Sequence, residues 1–393
     1  MAYRINKEKA VFVRFIILLL CFTFIFPPAV LAETGAEPVV NSVSLILIDA
    51  RSGKVLFEKN ADERRQVAST TKIMTALLVL EKLGISESVS ISGNASRFSN
   101  NKIKYNDGES RSAEEMLYSL MLLSANNVAT AFAEKIGGTE SSFVEMMNLK
   151  TVQIGAVNSV FSNPHGLPSS ASQYSTARDL SLITRKVMRH PIFRRVVASK
   201  EHDFEIADGP LKRIENSNDL LHEYSRATGV KTGYTLQAGY CLVGSAKKGG
   251  LSLIAVVLGS QSRKQTFDES KRLFKYGFDN YSYRHLIVKG KSYDQVEVAG
   301  SKKMIELVAD KDISLLINDA TGTITYMTDV IDDIRRPIKK GDVLGELIVK
   351  KDDVEIVRSQ LVSKREMKEE IKVADESFFS SILRRFLKLL GLD

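Results

Sequence analysis

Three short motifs, set in one order, constrain this 393-residue chain more than anything else in it: Ser69-Thr70-Thr71-Lys72, Ser124-Ala125-Asn126 and Lys231-Thr232-Gly233. If they act together, the fold must bring a helix start, a break between helices and a strand edge to one place. Between them they offer a nucleophilic hydroxyl, candidate bases for it, a positioning amide and a cationic strand. That is the equipment for attack on an amide through a covalent acyl intermediate.

Ser-x-x-Lys is a weak signal by itself, because Ser99-Asn100-Asn101-Lys102 and Ser245-Ala246-Lys247-Lys248 match it too. Context separates them. Ser69 falls where a helix begins, so Lys72 lies about one turn on, on the same face, and the serine meets the positive helix end. Ser99 lies in an Asn-rich loop and Ser245 ends a strand. Ser124 is preferred over the decoys Ser92-Gly93-Asn94 and Ser99-Asn100-Asn101 because it interrupts two apolar helices. Lys231-Thr232-Gly233 opens a strand, where Gly233 permits close backbone approach by a substrate.

The pattern around these motifs predicts strands at residues 44–49 and 55–58 about the turn Ser52-Gly53-Lys54. Helices follow over 70–83, 116–123 (opened by the capping box Ser112-x-x-Glu115) and 128–136. Strands at 239–246 and 251–258 flank Lys247-Lys248-Gly249-Gly250 as a hairpin, and a helix spans 266–276. Strands at both ends with helices between them predict one α/β domain whose terminal strands share an antiparallel sheet. Residues 33–42 read as a loose leader.

Near Tyr281 the pattern changes. Short apolar–polar alternations at 296–298, 304–308, 313–317, 324–327, 344–349 and 354–357 predict a small all-β domain over 283–362. Residues 363–393 read as a charged linker and an amphipathic helix. Phe378, Phe379, Ile382, Leu383, Phe386, Leu387, Leu389 and Leu390 occupy one side; Ser380, Ser381, Arg384, Arg385 and Lys388 occupy the other. Such a helix lies in a membrane interface with its cations near lipid phosphates.

Residues 1–32 read as a secretory signal: Arg4, Lys7, Lys9 and Arg14, then an apolar run over 15–26 and Val30-Leu31-Ala32 before the cut. The whole chain carries +8; without the signal the balance is a mild excess of cations, suited to an anionic membrane or wall surface. No basic run is dense enough for nucleic-acid binding. Cys21 leaves with the signal and Cys241 remains alone, so no internal disulfide forms. Tyr240-Cys241-Leu242-Val243 makes that thiol a buried strand residue. The five histidines are scattered, and no metal-ligand cluster is present. His165 is not read as part of a Ser-His-Asp triad, because no Gly-x-Ser-x-Gly elbow surrounds Ser69.

With these motifs, Asn163-Pro164-His165-Gly166-Leu167, Tyr174-Ser175-Thr176-Ala177-Arg178-Asp179-Leu180 and Lys231-Thr232-Gly233-Tyr234-Thr235, the chain resembles the low-molecular-mass penicillin-binding proteins, specifically the serine-type D-alanyl-D-alanine carboxypeptidases. The β-rich segment with Lys340-Gly341-Asp342 and the amphipathic tail match that layout. The resemblance implies an α/β (α+β) serine β-lactamase/transpeptidase-like domain over 33–282, its antiparallel sheet flanked by helices. It implies that Ser69 attacks the amide between two D-alanines of a peptidoglycan stem peptide, with Lys72 as base. Ser124 would relay a proton and Asn126 hold the substrate amide. Lys231 and Thr232 would receive the terminal carboxylate, and backbone N–H groups of Ser69 and Tyr234 would form the oxyanion hole. β-Lactams would acylate the same serine, no cofactor is expected, and the enzyme would sit on the outer face of the cytoplasmic membrane.

One departure stands out. The family's usual arginine, seven residues after Gly259, aligns with Thr266; Arg263 is the nearby candidate to recognise the carboxylate. Three other readings stay open. A class A β-lactamase would need a glutamate for deacylation, which the 163–167 loop lacks. A DD-endopeptidase is chemically close. A silent wall-binding module would not need intact Ser69, Lys72, Ser124 and Lys231.

Overall fold

The computed structural model describes residues 36–98, 105–204, 212–300, 303–319, 321–368 and 376–390. The expected signal segment and the decoy Ser99–Lys102 lie outside them. The chain divides into two compact units, one running to Lys247 and resuming at Ser252–Asn280, the other holding Lys248–Leu251 and everything from Tyr281.

In the first unit, β1 (Ser44–Asp49) and β2 (Val55–Lys59) open a five-stranded sheet completed by β3 (Ala227–Thr235), β4 (Gly239–Lys248) and β5 (Leu251–Ser260). The strand order is β2-β1-β5-β4-β3, with antiparallel pairing throughout. The expected sharing of terminal strands is present: Ser44 pairs with Leu258 and Asp49 with Leu253. This leaves β3, which carries Lys231-Thr232-Gly233, at one edge of the sheet. Lys231 is the middle of that strand and not its opening.

Helices α1 (Lys72–Lys82), α2 (Ala113–Leu122), α3 (Asn126–Gly137), α4 (Glu140–Ile154), α5 (Ala177–Val187), α6 (Pro191–Ala198) and α7 (Arg263–Asn280) complete this unit. Every residue of α1 from Lys72 to Val79 is buried, as expected of a core helix apolar on all sides. Ser112 caps α2 by accepting from the Glu115 N–H, but the Glu115 carboxylate meets His202 Nε2 at 2.8 Å, so the capping box is only half made. Helix α7 is longer than the apolar pattern predicts. Its added turns carry the i,i+4 ion pairs Lys264–Asp268 and Lys275–Asp279, which support a helix without burying anything. The leader is tied down rather than loose at its end: the Asn41 and Ser42 N–H groups donate to the buried Glu269 carboxylate.

The second unit is all-β apart from its last helix. A two-stranded ladder joins β6 (Tyr281–Ile287) to β9 (Ile313–Asn318). A five-stranded sheet has the order β7-β8-β12-β11-β10, formed by β7 (Ser292–Glu297), β8 (Met304–Ala309), β10 (Ile324–Val330), β11 (Val343–Lys351) and β12 (Val354–Ser363). Its own core includes Ile305, Leu307, Leu347, Val349 and Leu361. Helix α8 (Glu376–Leu389) exposes Ile382, Leu383, Phe386 and Leu389, and Leu390 follows it, also exposed. No helix among the described residues is long and apolar enough to cross a membrane.

Candidate active site

Ser69 does not sit in α1. It belongs to a single 3₁₀ turn, Ala68–Thr71, that leads into α1 at Lys72. Two glycines make room for that turn. A β-carbon on Gly233 of β3 would stand 2.9 Å from the Ser69 nitrogen, and one on Gly166, at φ +84°, 2.0 Å from the Ala68 carbonyl oxygen. The neighbour that Gly233 admits is therefore the nucleophile's own backbone. Ala68 itself has φ +46°, a conformation costly for a residue with a β-carbon and held here by packing from both sides.

The loop beneath the turn is fixed in its own right. Asn163 Oδ1 accepts from the His165 and Gly166 N–H groups at 3.2 and 2.7 Å, and its Nδ2 donates to the Leu167 carbonyl. Thr75 of α1 donates to the Pro164 carbonyl. The loop thereby presents the His165 carbonyl to Lys72.

Lys72 is fully buried. Its Nζ lies 3.1 Å from Ser69 Oγ, 2.7 Å from Asn126 Oδ1 and 2.6 Å from the His165 carbonyl oxygen. No carboxylate among the described residues pairs with it. Burial first, and the neighbouring Lys231 ammonium second, hold its pKa well below the ordinary lysine value. Two of the three contacts are to oxygens that can only accept. When the amine is neutral its two hydrogens go to them, and its lone pair is directed at the Ser69 hydroxyl.

Ser124 occupies the break between α2 and α3 at φ +63°, and Asn126 is the first residue of α3. A cavity of about 300 Å³ opens in front of these groups. On its wall are Ser69, Ser124, Asn126, Thr232, Gly233, Tyr234 and Arg263. Seven of the nine residues singled out in the sequence thus share one wall, and Lys72 touches two of them from behind. Lys231 is not on the wall. It is 1% exposed, which excludes a plain surface cation, and its charge acts on Lys72.

Arg263, the first residue of α7, is held by Asp219 Oδ2 at 2.7 Å through Nε and by the Ser217 carbonyl at 2.8 Å through Nη2. Thr266, three residues on, lines the same cavity with its hydroxyl donating to the Ser262 carbonyl. Ser217 was not foreseen. Its Oγ donates to the Leu122 carbonyl at 2.8 Å and lies 3.4 Å from Thr232 Oγ1, joining the Ser124 turn, β3 and Arg263. The run Asn216-Ser217-Asn218-Asp219 could be read as a turn, but its contacts are set by tertiary structure alone.

His165 takes no part in a triad. Its imidazole accepts from the Leu167 N–H and packs on Phe98, and burial pushes its pKa down to about 3. Cys241 is the buried strand thiol expected, raised to about 11 by burial. No group of three potential metal ligands occurs among the described residues.

The fold and this site define a serine acyl-transfer enzyme of two units, and solved structures share that architecture. Penicillin-binding protein 5 from Haemophilus influenzae superposes with a TM-score of 0.65 at 29% identity, over 85% of this chain and 99% of that one. At the level of sequence, D-alanyl-D-alanine carboxypeptidase DacF of Bacillus subtilis is 34% identical over 90% of this chain and 92% of the relative. DacC of Escherichia coli is 31% identical over 83% and 84%. The pattern of the D-alanyl-D-alanine carboxypeptidase family matches residues 32–262, and that of the penicillin-binding protein 5 C-terminal domain matches residues 281–369. The chain belongs to the D-alanyl-D-alanine carboxypeptidase family of serine hydrolases.

Proposed function

We propose that this chain removes the terminal D-alanine from peptidoglycan stem peptides through an acyl-enzyme on Ser69. The observation that carries this is the Lys72 amine, buried, depressed in pKa and 3.1 Å from Ser69 Oγ. Neutral Lys72 takes the hydroxyl proton as Oγ bonds to the carbonyl carbon between the D-alanines. Backbone N–H groups of Ser69 and Tyr234 receive the oxyanion. The C–N bond then breaks, and the proton reaches the departing D-alanine nitrogen by way of the Ser124 hydroxyl. Water hydrolyses the Ser69 ester and restores the enzyme.

Asn126 gives its Oδ1 to Lys72, which leaves its Nδ2 to donate to a substrate carbonyl. Thr232 and Arg263 receive the terminal carboxylate, with Lys231 acting through its field on Lys72. β-Lactams open on the same serine, because their strained amide occupies the place of the scissile bond.

The chain is exported, and α8 holds it on the outer face of the cytoplasmic membrane. The fourteen residues of α8 make about 21 Å of helix, a length that lies along a bilayer surface. Exposed Phe386, Leu383 and Leu389 would enter the interface while Arg384, Arg385 and Lys388 meet anionic headgroups.

The test is D-alanine release from a pentapeptide ending in D-Ala-D-Ala, by the mature protein beside Ser69→Ala. Release that vanishes in the variant supports the reading. Equal release from both removes Ser69 from the mechanism, and cleavage of cross-linked dimers without D-alanine release makes the enzyme an endopeptidase.

A further inference from the structure

A second concavity lies in the first unit, between the last turns of α4 and α5, and no step above uses it. Its volume is about 420 Å³, and its lining is Lys150, Gln153, Ile154, Leu182, Arg185, Lys186 and Arg189. Four of the seven are cations. Lys150 pairs with Glu81 at 2.6 Å. The side chains of Arg185, Lys186 and Arg189 have no carboxylate partner among the described residues.

Arg185 is pre-set. Its Nε and Nη2 donate to the Ala50 and Arg51 carbonyls at 3.2 and 2.9 Å, and Gly53 packs against the guanidinium. That fixes the fork and leaves Nη1 available to a ligand. Cations in the last turn of a helix answer its dipole, which accounts for one or two of these residues. It does not account for their meeting in a hollow, or for what lies beside it. Leu149 and Val152 of α4, and Val157 just beyond, are 60%, 65% and 65% exposed. Leu149 and Val152 are one turn apart on the helix that supplies Lys150 and Gln153, so an apolar strip borders the basic hollow. The other apolar residues of α4 are buried or pack against the core, so Leu149 and Val152 are the two that this helix leaves exposed.

We propose that this surface docks on an anionic phospholipid bilayer, the hollow taking a headgroup phosphodiester and Leu149, Val152 and Val157 entering the acyl boundary. Charge complementarity selects the phosphodiester, and the adjoining apolar side chains select a lipid over a soluble phosphate. The affinity is the first unit's own and separate from that of α8.

The experiment is vesicle co-sedimentation with the mature chain lacking residues 376–393, so that α8 does not contribute. Probes are vesicles of equal parts phosphatidylcholine and phosphatidylglycerol, vesicles of phosphatidylcholine alone, and soluble glycerophosphoglycerol. Variants are Lys186→Gln/Arg189→Gln and Leu149→Ser/Val152→Ser, all exposed enough to fold, with D-alanine release as the control for folding. Partition onto the anionic vesicles should fall at least about ten-fold in the charge variant, since each basic residue near such a surface is worth roughly 1 kcal/mol. It should also fall in the apolar variant, with D-alanine release unchanged. Equal partition onto phosphatidylcholine alone, or partition untouched by the charge variant, overturns the proposal. Binding of soluble glycerophosphoglycerol without vesicle partition overturns the lipid as its source.

Discussion

A β-carbon on Gly166 would stand 2.0 Å from the carbonyl oxygen of Ala68. The nucleophile turn therefore rests directly on the backbone of the 163–167 loop, the same loop that gives Lys72 its shortest contact. Gly166→Ala should cost more than about 2 kcal/mol, from the clash and from φ +84° together. Gly233→Ala meets the Ser69 nitrogen at 2.9 Å and should spare much of the stability while lowering acylation about a hundred-fold by moving the turn. Thermal unfolding and penicillin acylation rates, measured side by side, separate the two.

The pH dependence of acylation follows from Lys72. Burial and Lys231 both lower its pKa, so the amine loses its proton at a lower pH than an ordinary lysine. Acylation should rise as pH climbs through that depressed value. Lys231→Met removes one of the two causes, so Lys72 should hold its proton to higher pH and the acid limb of the profile should move upward. A limb that stays in place would assign it to another group.

The same shift carries a stability term whose sign can be worked out. A lysine whose folded pKa is below its unfolded value binds fewer protons folded than unfolded between the two. The cost is therefore full below the folded value and fades as pH rises toward the ordinary lysine range. Urea midpoints of the wild type should gain between neutral and mildly alkaline pH relative to Lys72→Met.

How much of this could be read from residues alone differs from part to part. Ser69, Lys72, Ser124, Asn126 and Thr232 could be picked out as candidates because each lies in a short run at a helix start, a break between helices or a strand. The decoys are tied up elsewhere: Ser92 caps a short helix by accepting from the Ala95 N–H while its hydroxyl donates to Glu134, and Ser245 bonds Thr228 across the sheet. The His165 carbonyl was beyond reach, because a main-chain oxygen carries no residue signature. Ser217 and Asp219 acquire meaning only when folding brings Arg263, at the start of α7, against them. Strand β6 begins where α7 ends, leaving no turn signal between them to reveal it.

Arg263 offers the sharpest test of the proposed carboxylate pocket. Arg263→Ala should raise KM about ten-fold or more for a peptide with a free C-terminal carboxylate, and change little for one with an amidated end. Asp219→Asn should give a smaller rise, because Asp219 only holds the guanidinium. Thr266→Arg in the Arg263→Ala background should recover part of the loss, since both positions lie on the same cavity wall.

Deleting residues 376–393 should move most of the enzyme from the membrane to the soluble fraction with D-alanine release intact, leaving only the weaker, salt-sensitive attachment of the first unit's basic hollow. Retention of most of the enzyme on membranes would assign the attachment elsewhere in the chain.

The most direct test of Ser69 as a nucleophile activated by Lys72 is mass spectrometry of the protein after exposure to a penicillin. The predicted result is one added penicilloyl mass on the peptide containing Ser69, absent in Ser69→Ala and slowed at least about a hundred-fold in Lys72→Arg, whose side chain stays protonated. An adduct on another residue, or acylation of Lys72→Arg at the wild-type rate, would contradict it.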